Sequence, residues 1–363
     1  MKTVKKTLKS FDLFSYTIAS TISIGIAFLP YVAGEEIRSA WLKLIITAIP
    51  YFGFLFLIHL FIKTYHDGDF FGELQQAVWK PVYYFIVIYL FCSIIYAGGV
   101  ALTGMSIVVG SFLLPNIEKW IYILLFLVVV AVGVYYGLAA ISRFLVMTVT
   151  IEALILFVIF ILGFNENFRW LYIPPVTAFD ITVLLKSSIS DMARYGGLVT
   201  LLGIIGFVHK PENVLKATSA GLVFVVVTYV ALAIVVLGTF GYEESLHLTS
   251  PFISLVQSFG TDTGVFERLD LLFLSFWIIV FYKIVIVHVW FLLYMTKVSI
   301  PKLNGKIAIF IICSLLFILT MSSPPIIDEY WRAHHMNTII YSLLLPSVCL
   351  LYLIVRKKRN ESA

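Results

Sequence analysis

The sequence predicts an all-α polytopic membrane protein. About ten transmembrane helices form a five-plus-five inverted repeat, with helices 1 and 6 discontinuous. Three observations predict this. Of 363 residues, 61% are hydrophobic and only 12% are charged, whereas a soluble domain carries roughly 25% charged residues. The apolar residues are grouped into long blocks divided by short polar stretches. Two of those blocks, the first and the sixth, are interrupted by polar, glycine-containing runs.

A bilayer core about 30 Å thick takes a helix of about 20 apolar residues to cross. Backbone groups cannot be left unpaired in lipid, so each block is expected to be helical. The blocks run over 11–33, 39–62, 82–112, 120–138, 143–163, 183–208, 218–240, 268–296, 306–322 and 336–355. The basic N-terminus leads straight into the first block without a small-residue cleavage signature, which reads as a retained span. The longer stretches between blocks are 64–80, 164–182, 241–267 and 323–335. None is large enough for a soluble domain. The first is expected to carry an interfacial helix from Phe70 to Trp79, and the third a short helix around Phe252–Phe259.

Lys and Arg set the orientation. Alternate loops and the two ends divide them unequally, 16 against 7, with Arg194 and Lys283 inside blocks. The richer set includes Lys2, Lys5, Lys6, Lys9 and the tail Arg356–Arg359, so both termini are expected in the cytoplasm. The net charge of +5 is then largely this bias and says nothing of nucleic acid. Cys92, Cys313 and Cys349 all fall in spans and read as packing residues.

The interruptions are the most informative feature. Block one reads Thr21-Ile22-Ser23-Ile24-Gly25-Ile26 with Pro30 beyond. Block six reads Asp191-Met192-Ala193-Arg194-Tyr195-Gly196-Gly197 and continues to Thr200. In two repeats of five these blocks correspond, and an odd repeat must invert. Paired interrupted spans point to a transporter binding site, because unwound backbone frees N–H and C=O groups for a ligand. Close helix packing is the other use of such glycines. The candidate ligand-binding residues are therefore Thr21, Ser23, Gly25, Ile26, Tyr195, Gly196, Gly197 and Thr200. Tyr96 and Val100, one turn apart in block three, join them if they face the broken helices. Gly98-Gly99 reads as packing.

Ionisable groups inside a bilayer are costly and mark function by default. Lys283 lies midway along block eight, His288 five residues beyond, and Glu152 within block five. For Glu152 the alternatives are a proton relay or a carboxylate paired across helices; for His288, a pathway lining or a hydrogen-bonded packing residue. Asp191 and Arg194, three apart, share a helix face and form either an outer gate, a contact to a ligand's charged ends, or an internal ion pair. Asp328, Glu329, His334 and His335 have metal-ligand chemistry, but the spacing is loose, so a solvated loop is expected there and no metal. With no phosphate-binding glycine loop and no nucleophile–base arrangement, neither an enzyme nor a cofactor is expected.

Four passages carry a family resemblance. Phe266-Glu267-Arg268-Leu269-Asp270 with Phe276-Trp277 and Lys283 resembles the start of span eight in spore germination permeases, the B subunits of nutrient germinant receptors. Ser23-Ile24-Gly25 with Leu29-Pro30 resembles the family's first-span glycine motif. His209-Lys210-Pro211-Glu212 resembles its loop after span six, and Leu248-Thr249-Ser250-Pro251 its loop before span eight. The order and spacing of the four carry the resemblance over nearly the whole chain. It implies the five-plus-five fold of the amino acid–polyamine–organocation superfamily. It also implies a nutrient sensor of the spore inner membrane that binds a small ligand, an amino acid by expectation, and acts with A and C subunits. By the same resemblance the Lys283 ammonium would take the place of a sodium ion between spans one and eight, or rest on carbonyls of the unwound first span. A proton-coupled transporter and a water or ion channel are the rival readings.

Overall fold

The structure is a computed structural model, and it describes residues 7–22, 26, 29, 40–65, 68–173, 181–248, 250–259, 269–323 and 328–362. Its helices are α1 (Ser10–Thr21), α2 (Ala40–Thr64), α3 (Phe70–Ala77), α4 (Lys80–Val108), α5 (Lys119–Tyr135), α6 (Leu138–Gly163), α7 (Ile181–Asp191), α8 (Val214–His247), α9 (Pro251–Gln257), α10 (Leu269–Ser299), α11 (Gly305–Ser322), α12 (Asp328–Ile339) and α13 (Leu345–Ser362). Among the described residues seven helical stretches are long and apolar enough to cross a bilayer, and α5 is a shorter apolar helix.

The bundle is apolar outside. Leu125, Val128 and Val132 on α5, Leu154 and Phe157 on α6, and Phe310 and Ile318 on α11 are all exposed. In lipid that surface needs no cover. Several polar side chains are turned inward instead, among them Ser15, Thr17, Ser20 and Thr21 of α1. The hydroxyls of Thr17, Ser20 and Thr21 are satisfied locally, and that of Ser15 has no partner among the described residues. Thr17 donates to the Leu13 carbonyl and Thr21 to the Thr17 carbonyl, both at 2.8 Å, and Thr148, Thr218 and Thr320 repeat the pattern on other spans. Back-bonding of this kind lets a hydroxyl sit in a dry bundle without an interhelical partner.

The first and sixth spans are broken, as the sequence predicts. Helix α1 ends at Thr21, and Ile22 takes extended dihedrals (φ −75°, ψ 116°). Helix α7 stops at Asp191 and the chain continues as a tight 3₁₀ helix from Met192 to Gly203. Such runs rarely exceed 3–4 residues and mark a hinge or a strained sequence. Two features were not legible beforehand. The third span finishes in a π-turn at Val109–Leu113, and the tenth is interrupted by one at Ile340–Leu344, between α12 and α13.

The expected interfacial helices are present as α3 and α9. Asp69 caps α3 by accepting from the Gly72 N–H at 2.9 Å, which satisfies one of the donors a helix start leaves free. One expectation is corrected. Residues 328–335 are helical and not a loop: α12 begins at Asp328, so His334 and His335 lie on a helix that leads into the tenth span. The apolar excess of the following residues carries the helix back past the polar run.

Candidate functional site

The two interrupted spans meet directly. A Cβ on Gly197 would fall 1.6 Å from the Ser20 carbonyl oxygen, so only glycine allows the 3₁₀ segment to lie against the last turn of α1. One residue away, Gly196 serves another neighbour. A Cβ there would meet Thr338 Cγ2 at 2.5 Å and Ser342 Oγ at 3.3 Å. Gly197 thus faces span one and Gly196 faces span ten. Gly98 and Gly99 pack against Leu316 and Leu319 of α11, the packing role expected of them.

Side chains stitch this junction. Thr200 donates to the Gly197 carbonyl at 2.8 Å, and the Tyr16 hydroxyl reaches the Thr200 carbonyl at 3.5 Å. The Tyr229 hydroxyl from α8 donates to the Thr21 carbonyl at 3.0 Å, one of the acceptors that the break in α1 leaves without an intrahelical donor. Tyr195 is fully buried. Its ring stands 5.9 Å from that of Tyr51 and 6.1 Å from that of Tyr229, and its hydroxyl donates to the Leu44 carbonyl at 2.7 Å. Ile26 is buried just beyond the break. Ser23 and Gly25 lie outside the described residues.

The other predicted residues fall into three groups. Tyr96 stands beside His334 of α12, ring centroids 5.8 Å apart, and Val100 is buried one turn further along α4. Asp191 and Arg194 form a two-pronged ion pair, 2.7 Å from Arg194 Nη2 and 3.3 Å from Nε, with the guanidinium 5.7 Å over the Tyr229 ring. Tyr229 therefore joins this pair to the end of α1. Lys283 pairs with Glu152 of α6 in the bundle interior. The ammonium thus has a side-chain partner on span five, whereas the sequence pointed it towards span one. Glu152 Oε1 has no hydrogen-bond partner among the described residues. His288 bonds the Ile284 carbonyl through Nδ1 at 2.8 Å, and its ring lies 3.3 Å from where a Gly197 Cβ would be. Five residues along a helix is a rotation of about 140° and a rise of about 7.5 Å. Lys283 and His288 accordingly serve different neighbours.

Sequence reading missed Tyr51, Tyr229 and Ser342. Tyr51 and Ser342 share a hydrogen bond of 2.9 Å between α2 and the π-turn opposite Gly196. Nothing in the local sequence marks them, because their role comes from which spans become neighbours.

At the other end of the bundle the chain is closed by polar contacts. The Thr7 and Leu8 N–H groups donate to the Phe207 carbonyl, and the His209 N–H donates to the Leu8 carbonyl. Ser142 donates to Asp12, and Tyr294 donates to Asp69. Burial raises the Asp69 carboxyl above its ordinary range, partly offset by the donors it accepts.

Residues 7–325 match the family model described as "Spore germination protein". The chain belongs to that family. The chain is 24% identical over 364 residues to spore germination protein A2 of Bacillus subtilis, covering 97% of this chain and 96% of the relative. Spore germination protein B2 of the same organism is 24% identical over 264 residues, covering 72% and 71%. Among solved structures, Mhp1, a nucleobase–cation–symport-1 family transporter in a closed conformation with bromovinylhydantoin bound, superposes with a TM-score of 0.71. The superposition covers 98% of this chain and 80% of that one, at 12% identity. The fold is thus the transporter-type inverted repeat with discontinuous spans one and six, in an integral, multi-pass membrane protein.

Proposed function

We propose that this chain is the nutrient-sensing subunit of a spore germinant receptor. It binds a small ligand, an amino acid, at mid-membrane between the breaks of spans one and six, and acts with A and C subunits in the spore inner membrane. Both termini face the cytoplasm. The observation that carries the reading is the direct meeting of the two breaks at Gly197 and Ser20 within a chain of the germination family. Ligand binding there would shift α1 and the 3₁₀ segment together against the neighbouring spans. It would favour one arrangement by its differential affinity for it, and the partner subunits would read the change.

The test is a nutrient screen on spores lacking only this subunit. Loss of the response to one nutrient class, restored by the wild-type gene, supports the reading; unchanged responses to the whole panel refute it. The buried Glu152–Lys283 pair favours a second reading, proton-coupled amino acid transport, since an ionisable pair inside a membrane protein is a common relay element. Accumulation of labelled amino acid by vesicles holding this protein alone, driven by a proton gradient, would decide for the transporter.

A further inference from the structure

A groove opens on the outer face of the bundle between α5, α6 and α10. Its volume is about 630 Å³, and its lining includes Leu125 and Val129 of α5, Tyr136 at the turn, Ala140 and Phe144 of α6, and Tyr282 of α10. Two small residues shape it. A Cβ on Gly133 would collide with the Tyr282 hydroxyl, so the bare backbone lets Tyr282 lie against α5 and donate to the Val129 carbonyl at 3.3 Å. Ala140, on the opposite wall, is exposed and leaves that side open. Leu125 to Tyr136 covers about 16 Å of helix, close to half of a hydrocarbon core about 30 Å thick. The groove therefore runs the depth of one leaflet. Its volume over that length gives a mean cross-section of about 40 Å², about half that of a helix about 10 Å across. It is too narrow to seat a neighbouring span, and its shape suits an acyl chain.

The Tyr136 end of the groove lies where α1 begins, since Ser142 in the first turns of α6 donates to Asp12. Cations stand at this end. Arg143 is exposed on α6, between the lining residues Ala140 and Phe144. Lys306, exposed at the start of α11, holds its ammonium 5.4 Å over the Tyr135 ring, and that ring meets the Tyr136 ring edge-on at 5.9 Å. Neither cation forms an ion pair among the described residues. Residues 1–6, which lead into this end, hold three lysines and no acid. Tyrosines of this kind belong at the level of lipid headgroups. We infer that the groove binds an anionic phospholipid of this leaflet, one acyl chain lying in the groove and the headgroup phosphate at the Arg143 and Lys306 rim. Basic clusters on the cytoplasmic side of membrane proteins attract such headgroups, and the orientation given above makes this the cytoplasmic leaflet. The acyl chain would fill the space beside Tyr282, the residue before Lys283, and so brace α10 against α5 and α6. The inference is independent of what the broken spans bind.

The experiment is native mass spectrometry of the full chain purified in detergent and offered equal amounts of palmitoyl-oleoyl phosphatidylglycerol and phosphatidylcholine, which share their acyl chains and differ in headgroup charge. The wild type should retain one phosphatidylglycerol per chain. At about fivefold for each cation, two cations give a preference of roughly 30-fold over phosphatidylcholine. Arg143→Gln with Lys306→Gln should bring the two lipids to near parity, and Arg143→Lys with Lys306→Arg should keep the preference. Ala140→Phe, or the milder Ala140→Leu, fills the open side of the groove and should weaken retention of both lipids by about tenfold. Lys210→Gln with Lys358→Gln removes the same charge from other exposed positions and should leave the preference unchanged.

The assignment is overturned if the wild type retains both lipids alike, if the preference survives the double Gln variant at Arg143 and Lys306, or if the Lys210 and Lys358 control loses it as well. It is also overturned if both Ala140 variants retain lipid as the wild type does. Displacement of the lipid by an equal concentration of glycerol 1-phosphate, which has no acyl chains, would assign the rim to a free phosphate and overturn the groove's part. A dimer that Ala140→Phe dissolves and added lipid does not would assign the groove to a second copy of this chain. None of these outcomes bears on the sensing reading.

Discussion

The Glu152–Lys283 pair offers the sharpest test of the packing described above. Its side chains are 1% and 0% exposed, so solvent screens neither charge. Removing one partner of a buried ion pair costs about 3–5 kcal/mol, because the survivor is left charged in a dry interior. That cost has a ceiling, since a stranded group can neutralise itself. An ordinary carboxylate takes up a proton at pH 7 for about 4 kcal/mol, and an ordinary amine sheds one for about 5 kcal/mol. Lys283→Met and Glu152→Gln should each destabilise within these limits. The double variant should recover most of the loss. The assay is a thermal melt of the four proteins in nanodiscs, analysed as a double-mutant cycle. Additive single effects, or single variants as stable as the wild type, would refute the pairing.

Further outcomes follow from the glycines and from Asp69. Gly197→Ala sets a methyl group against the Ser20 carbonyl at 1.6 Å, and backbone cannot yield as a side chain does; a loss of about 3 kcal/mol or more is expected, at the upper end for overpacking, seen as reduced monodisperse yield and a lower melting temperature. Gly53→Ala on α2, where a Cβ meets nothing within 4 Å, should be neutral or more stable by about 0.5–1 kcal/mol. Tyr229→Phe removes the hydroxyl that caps the Thr21 carbonyl and should cost about 1–2 kcal/mol while retaining the ring beneath Arg194; an unchanged melt would refute the capping role. Asp69→Ala should cost about 1 kcal/mol as a lost helix cap. Since burial raises the folded-state value of Asp69, ionisation opposes folding as pH rises from the ordinary carboxylate range through that raised value; Asp69→Asn should therefore gain on the wild type over that window, measured by melts from about pH 4 to pH 8.

The spans were legible because lipid imposes one rule, twenty or so apolar residues in a helix, and few sequences satisfy it by accident. The breaks at Thr21 and Asp191 were legible because glycine and polar residues stand out in such runs. The partners of those breaks were not. Gly196 and Gly197 are adjacent and alike in sequence, yet one is filled by span ten and the other by span one; only the arrangement of helices assigns them. The same holds for Lys283, whose partner lies 131 positions away on α6, and for Lys43, which charge counting had grouped with loop residues although it is buried. The π-turn at Ile340–Leu344 leaves no mark in composition because it changes hydrogen-bond register and not residue type.

The stitching of the chain's start to the end of the sixth span has a mechanical consequence. Leu8 is bonded to Phe207 and His209 at one end, and Ser20 abuts Gly197 part-way along the same two segments. Two fastenings about twelve residues apart make a girder of α1 and the 3₁₀ segment: neither can swing without carrying the other. A displacement of α1 at the break would thus be felt at the Leu8–His209 end, where Ser142 of α6 donates to Asp12.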